Sequence, residues 1–320
     1  MAEKALNVQN LRKSYRNKEV VKGVNFSAHF GEITAVLGPN GAGKTTTIEC
    51  CEGLRIPDSG TIEILGHHPH TAPADIRSRW GVMLQDGGLP MAVPAGVVLT
   101  HVTRLASTEV KKRRETLISQ LQLQEFLKTP VRRLSGGQRL RLALACALAG
   151  KPSMLFLDEP TAGMDVHARR DVHDIITSVR EQGTAIVLTT HLLDEAEALA
   201  DRVVLMSNGS VAIDAKTSEL SEFSDGRLDV SLSQDITKET LLSHLPHVPH
   251  TVSVEPVPSP ADSQASHSRW RISPVLKPDE FAYFAAQLAY HDVSISKLTT
   301  ASDLTDLFLQ IADSDTANLK

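Results

Sequence analysis

The stretch ITAVLGPNGAGKTTTIE, residues 33–49, decides the architecture of the chain. Its opening ITAVL is a short run without charge, the kind that forms a strand buried on both faces of a parallel sheet. The next nine residues, Gly38, Pro39, Asn40, Gly41, Ala42, Gly43, Lys44, Thr45 and Thr46, fit the phosphate-binding loop that joins such a strand to a helix. Glycines let the backbone curl until successive N–H groups converge on a β-phosphate. Lys44 supplies a point charge to the β- and γ-oxygens, and the Thr45 hydroxyl is a candidate Mg2+ ligand. A glycine-rich turn without a ligand does not account for pattern and context together. The chain is therefore read as α/β, with a P-loop NTPase core.

Further along, SMLFLDE (residues 153–159) and TAIVLTTH (184–191) repeat the signature of a buried parallel strand and alternate with helical patterns. The first of these ends in Asp158 and Glu159. At the carboxyl end of a strand near a P-loop, Asp158 would hold Mg2+, usually through water, and Glu159 would polarise the attacking water. An apolar run ending in two acids is common by itself; its place downstream of a P-loop gives it meaning.

A second anion-binding element lies at RRLSGGQRLRLALACALAG, residues 132–150. Ser135, Gly136 and Gly137 open a long apolar helix. Such a helix start presents unpaired N–H groups to an anion. Ser135 also reads as a plain N-cap, and the two roles do not compete.

LSGGQ at Leu134–Gln138, followed by LFLDEPTAGMD and LTTHLLDEAEALADRV, resembles the nucleotide-binding subunit of ATP-binding cassette (ABC) transporters over about residues 5–215. In that family two subunits pack head to tail, and the signature helix of one caps the γ-phosphate on the P-loop of the other. The resemblance thus implies a homodimer that shares two ATP, with Ser135, Gly136, Gly137 and Gln138 reaching the partner's nucleotide. It further implies that Tyr15 stacks on adenine and that Gln85 senses Mg2+ and links the site to the membrane subunit. Asp165 would cross the interface beside the partner's site, and His191 would contact the γ-phosphate and orient the water. With Glu159 and His191 both present, two active sites per homodimer are expected.

The wording GVMLQDGG, TTHLLDEAEALADRV and DLTDLFLQIA resembles ATPases of multidrug, daunorubicin-resistance-type antibiotic, lipid and polysaccharide exporters. One departure is LPMAVPAGVVLTHVTRL, residues 89–105, which lacks the proline and threonine-valine-glutamate pattern expected after Gln85. It bears on partner identity rather than on ATP chemistry. The apolar, turn-rich DGGLPMAVPAGVV, residues 86–98, with Met91, reads as an adaptable contact surface for a membrane subunit. The competing reading folds it back on its own core. KKRR at Lys111–Arg114 reads as a solvated helix face, with attraction to anionic lipid as the alternative.

Composition agrees with this picture. The chain has 320 residues, 41% of them hydrophobic, and a net charge of -5, which disfavours a nucleic-acid partner. Its three cysteines, Cys50, Cys51 and Cys146, have neither metal nor disulfide spacing and suit a reducing compartment. No apolar run of about eighteen residues occurs, so no direct membrane span is expected. The expected location is the cytoplasmic face of the membrane, held there by separately encoded transmembrane subunits.

Composition shifts near residue 218. The domains are read as 1–218, nucleotide-binding with a helical subdomain at about 87–150, and 219–320, an accessory domain. Segments GRLDVSLS, TKETLLSHL, HTVSVEPV, SRWRISPV, PDEFAYFAAQLAYHD and VSISKLT follow the order strand, helix, strand, strand, helix, strand of a ferredoxin-like unit. VPSPADSQASHS, residues 257–268, is expected to be a mobile loop, and DLTDLFLQIAD a last helix with Leu304, Leu307, Phe308 and Ile311 on one face. Dimerisation is the favoured role of this extension, ahead of a sensory one. Two alternatives to the exporter are an importer subunit and a soluble ABC ATPase of non-transport type. The second would show paired cassettes, coiled coils or CxxC pairs, and none is visible.

Overall fold

The computed structural model describes residues 3–16, 18–83, 88–222, 228–245, 253–256, 269–273, 276 and 278–300. The chain divides after Thr217 into two compact units.

In the first unit, β1 (Lys4–Tyr15) and β2 (Lys18–His29) form an antiparallel pair. Next come β3 (Ile33–Leu37), α1 (Lys44–Glu52) and β4 (Ser59–Ile64), the last pairing with the free side of β1. There follow α2 (Ala74–Arg77), β5 (Trp80–Met83), α3 (Ala95–Ala106), α4 (Val110–Gln120) and α5 (Gly136–Ala147). The unit closes with β6 (Met154–Asp158), α6 (Val166–Glu181), β7 (Ala185–Thr189), α7 (Leu193–Leu199), β8 (Arg202–Ser207) and β9 (Ser210–Lys216).

Six strands form one sheet in the order β5-β6-β7-β3-β8-β9, parallel from β5 to β8 with β9 antiparallel at the edge. Every residue of β3 and β7 is buried, which is why both read as unbroken runs and not as alternating ones. This order sets β6, β7 and β3 side by side, so their carboxyl ends share one edge. In open α/β sheets ligands bind at that edge.

Between β5 and β6 the chain is helical. The apolar stretch after Gln85 divides: Ala95 and Val98 turn inward as α3 begins, while Met91 and Val97 are exposed. The Lys111–Arg114 run is a solvated face only in its first half. Lys111 and Lys112 are exposed, but Arg113 donates to the Leu148 and Ala149 carbonyls and Arg114 Nε to Thr100 Oγ1 at 2.8 Å. Those two arginines fasten α4 to its neighbours, a use that a tetrad of like charges does not advertise.

The second unit contains β10 (Leu228–Leu232), α8 (Lys238–His244), β11 (Ser253–Pro256), β12 (Arg269–Ser273), α9 (Pro278–Tyr290) and β13 (Ile295–Thr300). All pairings are antiparallel, in the order β11-β12-β10-β13, which is the ferredoxin-like arrangement. Val230, Trp270, Ile272, Phe284 and Leu288 fill its core. The loop expected at 257–268 and the helix carrying Leu304, Leu307, Phe308 and Ile311 lie outside the described residues. Among the described residues no helix is long and apolar enough to cross a membrane.

Candidate active site

Gly38 follows the last residue of β3 with φ 151°, and a Cβ there would stand 2.2 Å from the Met206 carbonyl oxygen of β8. Only glycine fits. Gly43, at φ 96°, immediately precedes α1, and a Cβ there would lie 2.8 Å from the Val20 carbonyl oxygen. The loop between them places Lys44, Thr45 and Thr46 in the first turn of α1. No side chain caps this helix start, so its first N–H groups are left for an anion.

Lys44 is buried and donates from Nζ to the carbonyls of Gly38 at 2.7 Å and Pro39 at 3.1 Å. Desolvation lowers its pKa, while Glu159 and Asp158 pull in the opposite direction. Asp158, the last residue of β6, accepts from the Thr189 hydroxyl on β7. Burial raises the Asp158 pKa, the Thr189 bond opposes that, and the charge of Glu159 adds to it. Two oppositely charged groups, each disfavoured by its own burial, are thus assembled at one sheet edge.

Glu159 adopts φ 48°, a left-handed backbone that costs a non-glycine residue about 1 kcal/mol or more. The strand end compensates: the Glu159 N–H donates to Thr189 at both its carbonyl oxygen, 3.1 Å, and its Oγ1, 3.2 Å. His191 follows two residues after the end of β7, and its Nδ1 lies 3.1 Å from Glu159 Oε1. The carboxylate is largely buried and the imidazole half exposed, so the pair opens outward. Thr189 is the member of this edge that sequence reasoning missed. A threonine ending an apolar strand carries no local signal of what it will bond.

Tyr15 ends β1, is 37% exposed, and has Lys13 Nζ 5.8 Å and Arg55 Cζ 5.4 Å from its ring centroid. Ser135 caps α5 in a reciprocal box: Gln138 N donates to Ser135 Oγ at 3.2 Å, and Ser135 N to Gln138 Oε1 at 3.1 Å. Ser135 and Gly136 are exposed. Asp165 caps α6, with Oδ1 accepting from His167 N and Ala168 N at 3.0 Å each, bonds that lower its pKa. Gln85 lies outside the described residues. The structure therefore gathers the P-loop, Asp158, Glu159 and His191 at one sheet edge, and leaves Ser135 and Asp165 at separate helix starts.

A family model described as "ABC transporter" matches residues 21–162. The chain is 38% identical over 222 residues to the Nod factor export ATP-binding protein I of Ralstonia nicotianae, covering 67% of this chain and 68% of that protein. It is 30% identical over 312 residues to the linearmycin resistance ATP-binding protein LnrL of Bacillus subtilis, covering 96% and 97%. A solved ATP-binding subunit of an ABC transporter superposes with a TM-score of 0.63 at 27% identity, covering 68% of this chain and 92% of that one.

Proposed function

The chain belongs to the ABC transporter family as an ATP-binding, ATP-hydrolysing subunit, and from that premise we propose that it powers an exporter as a homodimer acting on separately encoded membrane subunits. The observation that carries the reading is the pair formed by Glu159 and His191, 3.1 Å apart, at the sheet edge that also holds the P-loop. Relatives whose names state export and antibiotic resistance support the direction of transport. The LnrL alignment covers nearly the whole chain, so the resemblance includes the second unit.

In the proposed reaction the N–H groups of the 38–45 loop and Lys44 bind the phosphates of ATP. Thr45 and Asp158 are hard oxygen donors, and an ion shared with substrate phosphates needs only one or two such ligands from the protein, so this set fits Mg2+. Held by Thr45 and Asp158, such an ion would supply charge neutralisation on the phosphates. Glu159 takes the proton of the attacking water as the bond between the γ-phosphorus and its bridging oxygen breaks, and His191 holds the carboxylate in place. Tyr15 stacks on the base. Gln85 relays the state of the site toward the membrane subunit.

Ser135, Gly136, Gly137 and Gln138 would close over the nucleotide of a second copy, beside Asp165 of that interface. The α5 start is exposed, which leaves it accessible to the nucleotide of a second copy. Bound ATP would then stabilise the closed dimer, and hydrolysis would release it. Attachment at the cytoplasmic face of the membrane follows from such partners. Phosphate release by Glu159→Gln tests the reading: turnover should fall by about a hundredfold or more with ATP still bound. Turnover at the wild-type rate would remove Glu159 as the base.

A further inference from the structure

Behind the Glu159–His191 pair lies a buried carboxylate that the reaction above does not use. Glu195, on α7, is 1% exposed, and its Oε1 accepts from the Thr161 hydroxyl at 2.6 Å. His173 Nε2, on α6, is buried and stands 3.4 Å from the same oxygen, in reach to pair with it when the ring is protonated. Burial alone would raise the Glu195 pKa, yet His173 and the hydroxyls of Thr161 and Thr190 outweigh it and hold the carboxyl below its ordinary value. Thr161 and Thr190 are fully buried.

The positions of these partners matter. Thr161 is two residues after Glu159. Thr190 immediately precedes His191. His173 sits on the helix that Asp165 caps. Glu195 itself lies four residues after His191, is hydrogen-bonded through Thr161 to the segment that follows Glu159, and faces His173 on the helix capped by Asp165. One side chain thus meets the three segments that carry the water-activating carboxylate, its histidine and the interface aspartate. A buried carboxylate is costly unless bonded and paired, and an apolar replacement of such a group together with its partners is often neutral for stability, so stability alone does not require it here.

We propose that Glu195 is a positioning residue for ATP hydrolysis: through Thr161 and His173 it locks the Glu159 and His191 segments in register and ties them to the Asp165 helix. The proposal rests on the reading of Glu159 and His191 as the reacting pair. Misplacement of such a pair by about 1 Å can cost a hundredfold in rate, while the P-loop, built on other elements, keeps its grip on nucleotide.

The test uses the full-length protein, steady-state ATP turnover, and equilibrium binding of a fluorescent ATP analogue. Thr161→Val and Glu195→Gln should each lower kcat by about tenfold or more, with KM and analogue affinity within about twofold of wild type. Thr161→Ser, which restores the hydroxyl, should return kcat to within about twofold. In a Glu159→Gln background, Thr161→Val should cost nothing more, because the two act as one unit. Wild-type kcat in Thr161→Val, an equal loss in Thr161→Ser, or a KM that rises in step with the loss of kcat would each overturn the proposal. If Thr161→Val does not fold, Glu195→Gln decides on the same criteria. Full turnover in Glu159→Gln alone would sink the underlying reading and the proposal with it; an inactive Glu159→Gln beside a fully active Thr161→Val would sink the proposal alone.

Discussion

Lys44 Nζ donates to the Gly38 carbonyl at 2.7 Å, so the cation of the phosphate loop is held by the loop's own oxygens. Phosphate oxygens would have to take over those bonds. Because burial already disfavours this ammonium, its removal should cost the nucleotide-free protein little. Lys44→Met should melt within a few degrees of wild type without ligand. The rise in Tm on adding MgATP should shrink, since each tenfold loss of affinity removes about 1.4 kcal/mol of ligand stabilisation. A thermal shift with and without MgATP checks this, and an undiminished shift would exclude Lys44 from the phosphate site.

Two glycines of the same loop should separate steric from conformational cost. At Gly38 an added Cβ meets the Met206 carbonyl at 2.2 Å, and that oxygen belongs to β8, the strand beside β3. Gly38→Ala should destabilise the fold by about 2 kcal/mol or more. Gly41, at φ 84°, has open space around its missing Cβ, so Gly41→Ala should cost only the left-handed strain of about 1 kcal/mol. Urea denaturation of both variants would show the difference, and equal midpoints would contradict it.

What could be read from the residues follows the range of the interactions involved. The strands Ile33–Leu37, Met154–Asp158 and Ala185–Thr189 are legible because a strand covered on both faces must be apolar along its length. Their lateral order is set by pairings between distant segments, which local pattern does not carry. In the second unit the alternation of strand and helix patterns suffices to anticipate β10 to β13 with α8 and α9. At the site, Lys44, Asp158 and Glu159 sit in motifs whose spacing is local. The φ of 48° at Glu159 is invisible in sequence, since the residues that announce a left-handed backbone are glycine and asparagine. Thr189 and Glu195 acquire their meaning from partners some thirty residues away, Asp158 and Thr161. Arg113 shows the same limit, its role fixed by carbonyls at the far end of α5.

The capping box at Ser135 permits the two uses of this helix start to be separated. Ser135→Asn and Ser135→Asp both keep a cap, whereas Ser135→Ala should lose about 1 kcal/mol of stability. Aspartate adds a negative charge where a γ-phosphate would arrive. In a Glu159→Gln background, Ser135→Asp should therefore hold its Tm yet fail to dimerise with ATP by size-exclusion chromatography, while Ser135→Asn still dimerises. Normal ATP-dependent dimers from Ser135→Asp would leave the α5 start as a cap and nothing more.

In the second unit, His244 and His291 stack with ring centroids 4.5 Å apart and planes 11° from parallel. His244 is 6% exposed, and desolvation, then the neighbouring His291, lowers its pKa below the ordinary 6.5. A histidine in this condition takes up its proton at lower pH in the folded chain than in the unfolded one. Between the two values the unfolded state binds more protons, so stability is full above about pH 6.5 and is lost as pH falls through that window, levelling off below the folded value. Amide hydrogen exchange of β10 and β12 should therefore speed up between pH 7.5 and pH 5.5, after correction for intrinsic rates, more in the wild-type chain than in His244→Phe. Phenylalanine keeps the stacked ring and the buried surface while removing the proton site. An identical pH response in the two proteins would show that His244 stays neutral throughout the range, and that the acid sensitivity of this unit, if any, lies elsewhere.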